Sequence, residues 1–323
     1  MKNILIAGSY SPAIKEKIIF LLGKQFHLCF VTKQEELFQH PETDYAILRI
    51  LRIDELEMDA MPSLKFIQRW GAGVDTVDIE SASKRGIGVA NIVGGNAPAV
   101  AELAINLMLA TLRNTAFIDK NIREGNWIKS SIEARSYMLR GKKVGLLGAG
   151  HIGRCVAAIV QAFDATVQYY DTLRLPEEIE AKLGLNYVSL EMLMQSSDII
   201  SIHIPRTEAT YHMIGKNQLE LMKSTAIIIN TARGGIIDEE ALYKQLKSGK
   251  LLAAGIDCFE NEPIAENNPL LTLDNITLSC HVGGNTSDIG LVMAELVAEN
   301  VKLFDDGKID ILSIVNKQFL KGK

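Results

Sequence analysis

The 323-residue chain has a net charge of −5, with 47% hydrophobic and 23% charged residues. This balance is ordinary for a globular protein and argues against nucleic acid or an anionic membrane as a partner. The length suffices for two domains, each with its own core.

No stretch reaches the roughly 18 apolar residues a membrane span needs, and the apolar run at residues 4–7, broken by Gly8 and Pro12, is too short for a signal peptide. The four cysteines (Cys29, Cys155, Cys258 and Cys280) show neither C-x-x-C pairing nor metal-ligand spacing. Reduced thiols in the cytoplasm, and no metal, are the expectation.

From the N-terminus, short apolar runs alternate with amphipathic ones. Strands are predicted at 3–7, 27–31, 45–50, 66–69 and 89–92, with helices at 13–22 and 78–84. Strands alternating with helices suggest a parallel sheet. Lys84-Arg85-Gly86-Ile87 has the basic last turn and glycine stop of a helix C-terminus. Between two of these elements lies Trp70-Gly71-Ala72-Gly73-Val74-Asp75, directly after a strand. Such a loop can present backbone N–H groups to a carboxylate, or it can be a tight turn needing positive φ. Gly94-Gly95-Asn96 then precedes a long helix over 98–113, a plausible hinge and domain crossover. The polar connection 125–140 follows, with Trp127 expected to anchor it.

Residues 141–171 read GKKVGLLGAGHIGRCVAAIVQAFDATVQYYD. A strand at 144–147 runs into Gly148-Ala149-Gly150-His151-Ile152-Gly153, a helical run carries Cys155, Val156, Ile159 and Val160, and a second strand at 166–170 ends in Asp171. Gly148 permits a tight turn, Gly150 lets backbone approach a pyrophosphate, and Gly153 allows close helix–strand packing. The helix N-terminus then faces the phosphates. Asp171, 18 positions after Gly153, can accept from the ribose hydroxyls. A carboxylate there repels a 2′-phosphate, so NAD is expected over NADP, although Arg174 could partly offset that repulsion.

The doubly wound pattern continues with strands at 198–204, 226–229, 253–257 and 276–279 and helices at 190–194, 218–222 and 239–247. A last amphipathic helix at 288–303 and a short segment at 311–315 close the chain. There is no internal repeat.

Arg233, Glu262 and His281 follow successive strands of this second sheet, on the side where open parallel sheets bind ligands. A guanidinium can hold a carboxylate in bidentate fashion, and a histidine can move the proton that accompanies hydride transfer. A carboxylate bonded to a histidine orients the ring and favours its protonated form. Taken singly, Arg233 could be a surface turn arginine, Glu262 a solvated loop charge and His281 a structural histidine. His203 reads as structural or cofactor-lining, and His27, His40, His151 and His212 lack acid–base context.

Together these motifs resemble the D-isomer-specific 2-hydroxyacid dehydrogenases, the family of phosphoglycerate, D-lactate and glyoxylate/hydroxypyruvate dehydrogenases. The likeness runs nearly end to end, through GAGVD (71–75), GLLGAGHIG (145–153), SIHIPRTEAT (201–210), NTARGGIID (230–238), AAGIDCFENEP (253–263) and CHVGGNT (280–286).

The resemblance implies two Rossmann-like α/β domains with doubly wound parallel sheets. A split substrate domain (1–97 plus 285–323) would surround an inserted dinucleotide-binding domain (98–284). It implies that Arg233, with backbone N–H groups of Ala72 and Gly73, binds the substrate carboxylate, and that Glu262 pairs with His281 as acid/base. Cofactor contacts would come from Gly148, Gly150, His151, Ile152, Gly153, Asp171, Ile204, Pro205, Thr210, Thr231, Ala232, Arg233, Asp257, His281, Gly283 and Gly284.

The sequence departs from the family pattern at Cys280 (usually proline), Thr76 (usually asparagine) and Arg206 (usually leucine). Formate dehydrogenases of this superfamily typically carry glutamine where Glu262 stands, which argues against formate.

The implied activity is NAD-dependent interconversion of a small 2-keto acid and a D-2-hydroxy acid. D-3-phosphoglycerate is the alternative substrate, with Arg49, Arg52 and Arg69 either as phosphate partners or as surface charge. An NAD(H)-sensing interaction module, as in the family's corepressors, is the alternative of another class; the short C-terminal tail and the lack of a regulatory domain after it weigh against that module and against feedback control. A homodimer formed through residues 99–113 and their neighbours is the expected assembly.

Overall fold

In the computed structural model, which describes residues 1–317, the chain divides into two compact units. One comprises residues 1–96 with the segment from 285 on, the other residues 97–284. Residues 318–323, the end of the segment expected to complete the first domain, lie outside the described residues.

The first unit holds β1 (Lys2–Ala7), β2 (Phe26–Val31), β3 (Tyr45–Leu48), β4 (Phe66–Arg69) and β5 (Gly88–Ala90) in one parallel sheet of order β2-β1-β3-β4-β5. Every residue of β3 and β4 is buried. Helices cover both faces of such a sheet, so β3 reads as a continuous apolar run rather than an alternating one, while β4 ends in the buried polar pair Gln68 and Arg69. Helix Pro12–Leu22 and the late helix Ser287–Asp305 pack on one face, burying Ile14, Ile18, Met293, Val297 and Val301 against Ile4, Ile6, Tyr45 and Phe66.

Polar bonds fasten the late helix to the first strands. The Tyr45 hydroxyl donates to Asp305 Oδ1 (2.6 Å), Lys2 pairs with the same carboxylate, and Phe66 stacks on Phe304 with centroids 4.0 Å apart. Near the chain end, Val89 N–H donates to Asn316 Oδ1 (2.8 Å) and Asn316 Nδ2 donates to Ile87 O (2.8 Å), so this segment is tied to the β5 edge.

The second unit contains β6 (Lys143–Leu147), β7 (Thr166–Tyr170), β8 (Leu185–Tyr187), β9 (Ile199–Ile202), β10 (Ile227–Asn230), β11 (Ala253–Ile256) and β12 (Ile276–Leu278). All pair in parallel, in the order β12-β11-β10-β9-β6-β7-β8. The chain runs outward from β6 through β7 and β8, then returns to place β9 on the other side of β6. This reversal opens a crevice at the carboxyl ends of β6 and β9. Helices Ala97–Leu112 and His151–Gln161 cover one face, while Leu190–Ser196, Lys216–Leu221 and Glu239–Lys247 cover the other.

Two features differ from the sequence reading for local reasons. Trp127, expected as an anchor, is 81% exposed. Its neighbouring helices Thr115–Arg123 and Lys129–Ile132 bury no side chain, so no core lies there to receive it. Helix Glu177–Leu183 and β8 were not expected, because a short acidic helix and a three-residue edge strand carry little periodic signal. In the long helix Ala97–Leu112, the residues Ala101, Ala104, Ile105, Leu107 and Met108 lie in the core of the second unit. Pro98, Glu102, Asn106 and Arg113 remain as the exposed edge.

Among the described residues no helix is long and apolar enough to cross a membrane.

Replacing the fully buried Phe66 with alanine removes both its stacking on Phe304 and its edge contact with Tyr45. We expect a loss of about 3–5 kcal/mol. Urea unfolding followed by fluorescence measures it, because part-buried Trp70 reports the first unit while Trp127 is exposed already.

Candidate active site

At the end of β6 the chain turns at Gly148 with φ +100°, a region open to glycine. A Cβ there would lie 2.7 Å from His203 O and 2.9 Å from Ile204 Cγ2, so this turn abuts the end of β9. At Gly153 a Cβ would approach Gly148 O to 2.2 Å, which is the close helix–strand packing expected. At Gly150 it would meet no atom within 4 Å, so that side of the turn is open.

Helix His151–Gln161 starts at Gly150 with no side-chain cap on its first N–H groups. Such an uncapped N-terminus favours an anion. Asp171 closes the far side, with Oδ2 accepting from Ala149 N–H at 2.9 Å. An open glycine, an uncapped helix start and an acceptor beside them fit a dinucleotide's pyrophosphate and ribose.

Next along the sheet, β10 ends in Asn230-Thr231-Ala232-Arg233. The buried Asn230 shapes this turn: Oδ1 accepts from Ala232 N–H (3.1 Å) and Nδ2 donates to Arg233 O (2.9 Å). Arg233 Nη1 donates to Ala232 O at 2.7 Å. Thr231 Oγ1 is buried without a protein partner, which suits a ligand group at this strand end. Gly234 follows in backbone contact with the next loop, since a Cβ there would fall 1.7 Å from Phe259 O.

That next loop carries the acid. Glu262 Oε1 accepts from Phe259 N–H (3.0 Å), while Oε2 lies 2.7 Å from His281 Nδ1. With Nδ1 facing a carboxylate, Nε2 is the ring nitrogen available for proton exchange.

His281 itself sits at φ +55°, held by its neighbours. Its N–H donates to Asp257 O (2.7 Å), and the fully buried Asp257 carboxylate accepts from Val282 N–H (3.0 Å), Gly283 N–H (3.0 Å) and Ser279 Oγ (2.7 Å). The loops bearing Arg233, Glu262 and His281 are thus joined within one unit.

The remaining predicted residues have varied surroundings. The Thr210 hydroxyl donates to Pro205 O (2.8 Å) and caps its own turn by accepting from Thr207 N–H (2.7 Å). His203 places Nε2 2.9 Å from Ser201 Oγ and leaves Nδ1 buried without a partner; burial pushes this imidazole down to about 3.

In the first unit neither Gly71 nor Gly73 adopts positive φ, so the tight-turn reading of that loop loses its premise. Asn91 Nδ2 holds Ala72 O (2.7 Å) and Arg69 Nε holds Gly73 O (2.9 Å), which fixes the orientation of these peptides.

Some side chains acquire partners that the sequence did not suggest. His212, expected without acid–base context, stacks on Tyr211 at 4.0 Å and lies 3.0 Å from Glu260 Oε1; His40 lies 3.2 Å from Glu42. Cys258 offers its sulfur within 4.8 Å of ligand atoms of Glu262 and His281, a grouping invisible in the spacing. Burial pushes that thiol well above its usual range, away from the thiolate a metal requires. The role of Asn230 was missed as well, although an asparagine at the end of an apolar run is a turn signal.

Comparison with known proteins places this architecture. Residues 105–283 match the family model described as D-isomer specific 2-hydroxyacid dehydrogenase, NAD binding domain. A glyoxylate reductase of Korarchaeum cryptofilum is 40% identical over 83% of this chain and 81% of its own length. The chain belongs to the D-isomer specific 2-hydroxyacid dehydrogenase family.

Its fold agrees. The crystal structure of a glyoxylate reductase from Paecilomyes thermophila superposes with a TM-score of 0.86 at 30% identity, covering 98% of this chain and 99% of that one. An NADPH-dependent glyoxylate/hydroxypyruvate reductase from Sinorhizobium meliloti, solved with NADP and malonate, gives 0.84 at 28% identity over 98% and 97%. As a family member the chain is an oxidoreductase acting on 2-hydroxy acids. Its two parallel α/β sheets are those the sequence predicted.

Two outcomes test this geometry. In Gly234→Ala the added methyl meets backbone rather than a yielding side chain. It should displace the Arg233 loop and cost about 1–3 kcal/mol of stability. The drop in kcat/KM should exceed what that destabilisation alone produces, as steady-state assays well below the melting temperature would show.

The neutral His203 contributes stability that is complete above the unfolded pKa of 6.5 and is lost progressively as pH falls toward about 3. Between pH 6.5 and 5 this loss is about 2 kcal/mol. His203→Gln should flatten the stability profile by that amount, measured by chemical denaturation at each pH.

Proposed function

We propose that the chain reduces a small, unphosphorylated 2-keto acid, of which glyoxylate and hydroxypyruvate are the leading candidates, to the D-2-hydroxy acid with NADH. The observation that carries the reading is the His281–Glu262 pair, 2.7 Å apart and joined through neighbouring strand-end loops to Arg233.

In this reading the pyrophosphate is held by backbone at Gly148, Gly150, His151, Ile152 and Gly153, and the ribose by Asp171. Ile204, Pro205, Thr210, Thr231, Ala232, Asp257, Gly283 and Gly284 line the rest of the dinucleotide site. The bound nicotinamide supplies or accepts the hydride. Arg233 binds the substrate carboxylate, and its charge polarises the adjacent carbonyl. In the first unit, the backbone N–H groups of Ala72 and Gly73 are the proposed neutral donors for a carboxylate. His281 gives a proton to the carbonyl oxygen in reduction and takes it back in oxidation, while Glu262 fixes the ring and balances its charge. A homodimer is the assembly this reading carries.

The arginines of the first unit favour an unphosphorylated substrate. Arg69 is buried and donates to Leu48 O and Arg49 O, each at 2.7 Å. Arg49 donates to Ser9 O (2.7 Å) and Asn285 Oδ1 (2.8 Å), and Arg52 pairs with Asp54. A phosphate would have to compete for each.

NAD rather than NADP is supported by the Asp171 carboxylate at the ribose end of the turn.

NADH oxidation at 340 nm tests the proposal across glyoxylate, hydroxypyruvate, pyruvate, 2-ketoisocaproate and 3-phosphohydroxypyruvate. We expect the first two to give the highest kcat/KM; a strong preference for the phosphorylated acid would overturn the substrate assignment. NADH binding with no turnover on any of them would favour the sensor reading. Arg233→Ala should lower kcat/KM by about 2–4 kcal/mol. Near-native turnover in that variant would remove Arg233 from its role.

A further inference from the structure

Beyond Asp171 lies a second element of the nucleotide end that the mechanism does not use. Arg174 follows three residues later and is the nearest cation in sequence that could meet a ribose 2′-phosphate. Its guanidinium is engaged elsewhere. Nε donates to Glu180 Oε1 (3.0 Å) and Nη2 to Glu180 Oε2 (2.8 Å), a bidentate pair.

Glu180 is anchored in turn. Its side chain is only 10% exposed, and its Oε1 also accepts from the Tyr169 hydroxyl (2.7 Å), which itself accepts from Leu175 N–H (2.8 Å). Arg174 and that hydroxyl hold the Glu180 carboxyl down at about 2, so the latch is charged at any working pH. The guanidinium is nonetheless close to the nucleotide end. It lies 5.5 Å from the centre of the Tyr187 ring, whose hydroxyl donates to Asp171 O at 3.5 Å.

We propose that Glu180, braced by Tyr169, is a positioning residue for cofactor choice: it holds Arg174 away from the 2′ position and so completes the discrimination against NADP that Asp171 begins. This rests on the NAD reading above. Sequence alone suggests the opposite effect for Arg174, as a cation that softens Asp171. With Nε and Nη2 both bonded to the Glu180 carboxylate, and Glu177 3.8 Å from Nη2, the charge of Arg174 is offset where it stands. Releasing it would place a free guanidinium one side chain away from Asp171.

The experiment compares native protein with Glu180→Gln, Arg174→Ala, the double variant and Asp171→Asn. Two ratios are read: kcat/KM for NADPH over NADH, and affinity for 2′,5′-ADP over 5′-AMP by calorimetry, which needs no turnover. Glu180→Gln should raise both ratios about tenfold, the scale of one charge-assisted hydrogen bond gained. The double variant should return them to the native values, because the gain requires Arg174 and not merely the loss of a negative charge. Arg174→Ala alone should change neither ratio by more than about twofold, the scale of an exposed pair.

A fall in 2′,5′-ADP affinity in Arg174→Ala would mean that Arg174 already serves the nucleotide, and would overturn the latch even if Glu180→Gln does not fold. Unchanged ratios in a folded Glu180→Gln would overturn it too. Asp171→Asn separates the two claims. If it raises the ratios while Glu180→Gln does not, the latch fails and the NAD reading stands; if it leaves them unchanged, the NAD reading itself fails.

Discussion

The proposed catalytic end of the second unit depends on one buried carboxylate. Asp257, at the end of β11, is fully removed from solvent and accepts two backbone N–H groups and a hydroxyl, all from the segment after β12. A carboxylate out of water is tolerable only with such donors, and three are supplied. In return they fix a loop that would otherwise be free to choose its path. His281 occupies the left-handed region at φ +55°, where a residue with a Cβ is strained unless its surroundings impose the conformation. The hydrogen bonds on either side of it impose it. The ring can then meet Glu262 without help from its own backbone preference.

The other constraint is contact of backbone with backbone. Gly234 lies so close to Phe259 that a methyl group would overlap the carbonyl, and Gly148 lies against His203 in the same way. Both contacts join the end of one strand to the end of its neighbour. Parallel strands deliver every chain to the same edge of the sheet, and glycine lets those chains touch there. The arginine, the acid and the histidine come from three separate stretches of sequence, yet their spacing is set by main-chain atoms, the stiffest parts available. Reaction geometry is sensitive to displacements of about an ångström. Under the proposed roles of Arg233, Glu262 and His281, that sensitivity accounts for polar side chains standing on such tightly joined loops.

Much of this was legible in the sequence, for identifiable reasons. Short strands rich in apolar residues alternate with amphipathic stretches in both units, and β4, β7 and helix Glu239–Lys247 fall at the predicted residues. The dinucleotide turn could be read because each glycine answers a separate steric demand. Arg233, Glu262 and His281 stood out because each follows a strand. What the sequence hid were pairings between distant side chains. Nothing local says that Glu260 meets His212, that Cys258 lies beside the His281–Glu262 pair, or that Asp257 meets the segment after the next strand. Trp127 misled because a large apolar residue predicts burial only where a core exists to receive it.

Arginines show the same limit most clearly, and they bear on specificity. In the sequence Arg49, Arg52, Arg69 and Arg174 are four cations near the places where anions would bind. In the structure Arg69 serves carbonyls of its own sheet, Arg49 a carbonyl and an amide, Arg52 an aspartate, and Arg174 a buried glutamate. A guanidinium already holding two acceptors gives up those bonds to bind a phosphate, and the exchange gains little unless the freed acceptors find other donors. Discrimination against phosphorylated ligands therefore does not require an absence of positive charge. It can be achieved by committing that charge internally, in a form that a single substitution of the acceptor would undo.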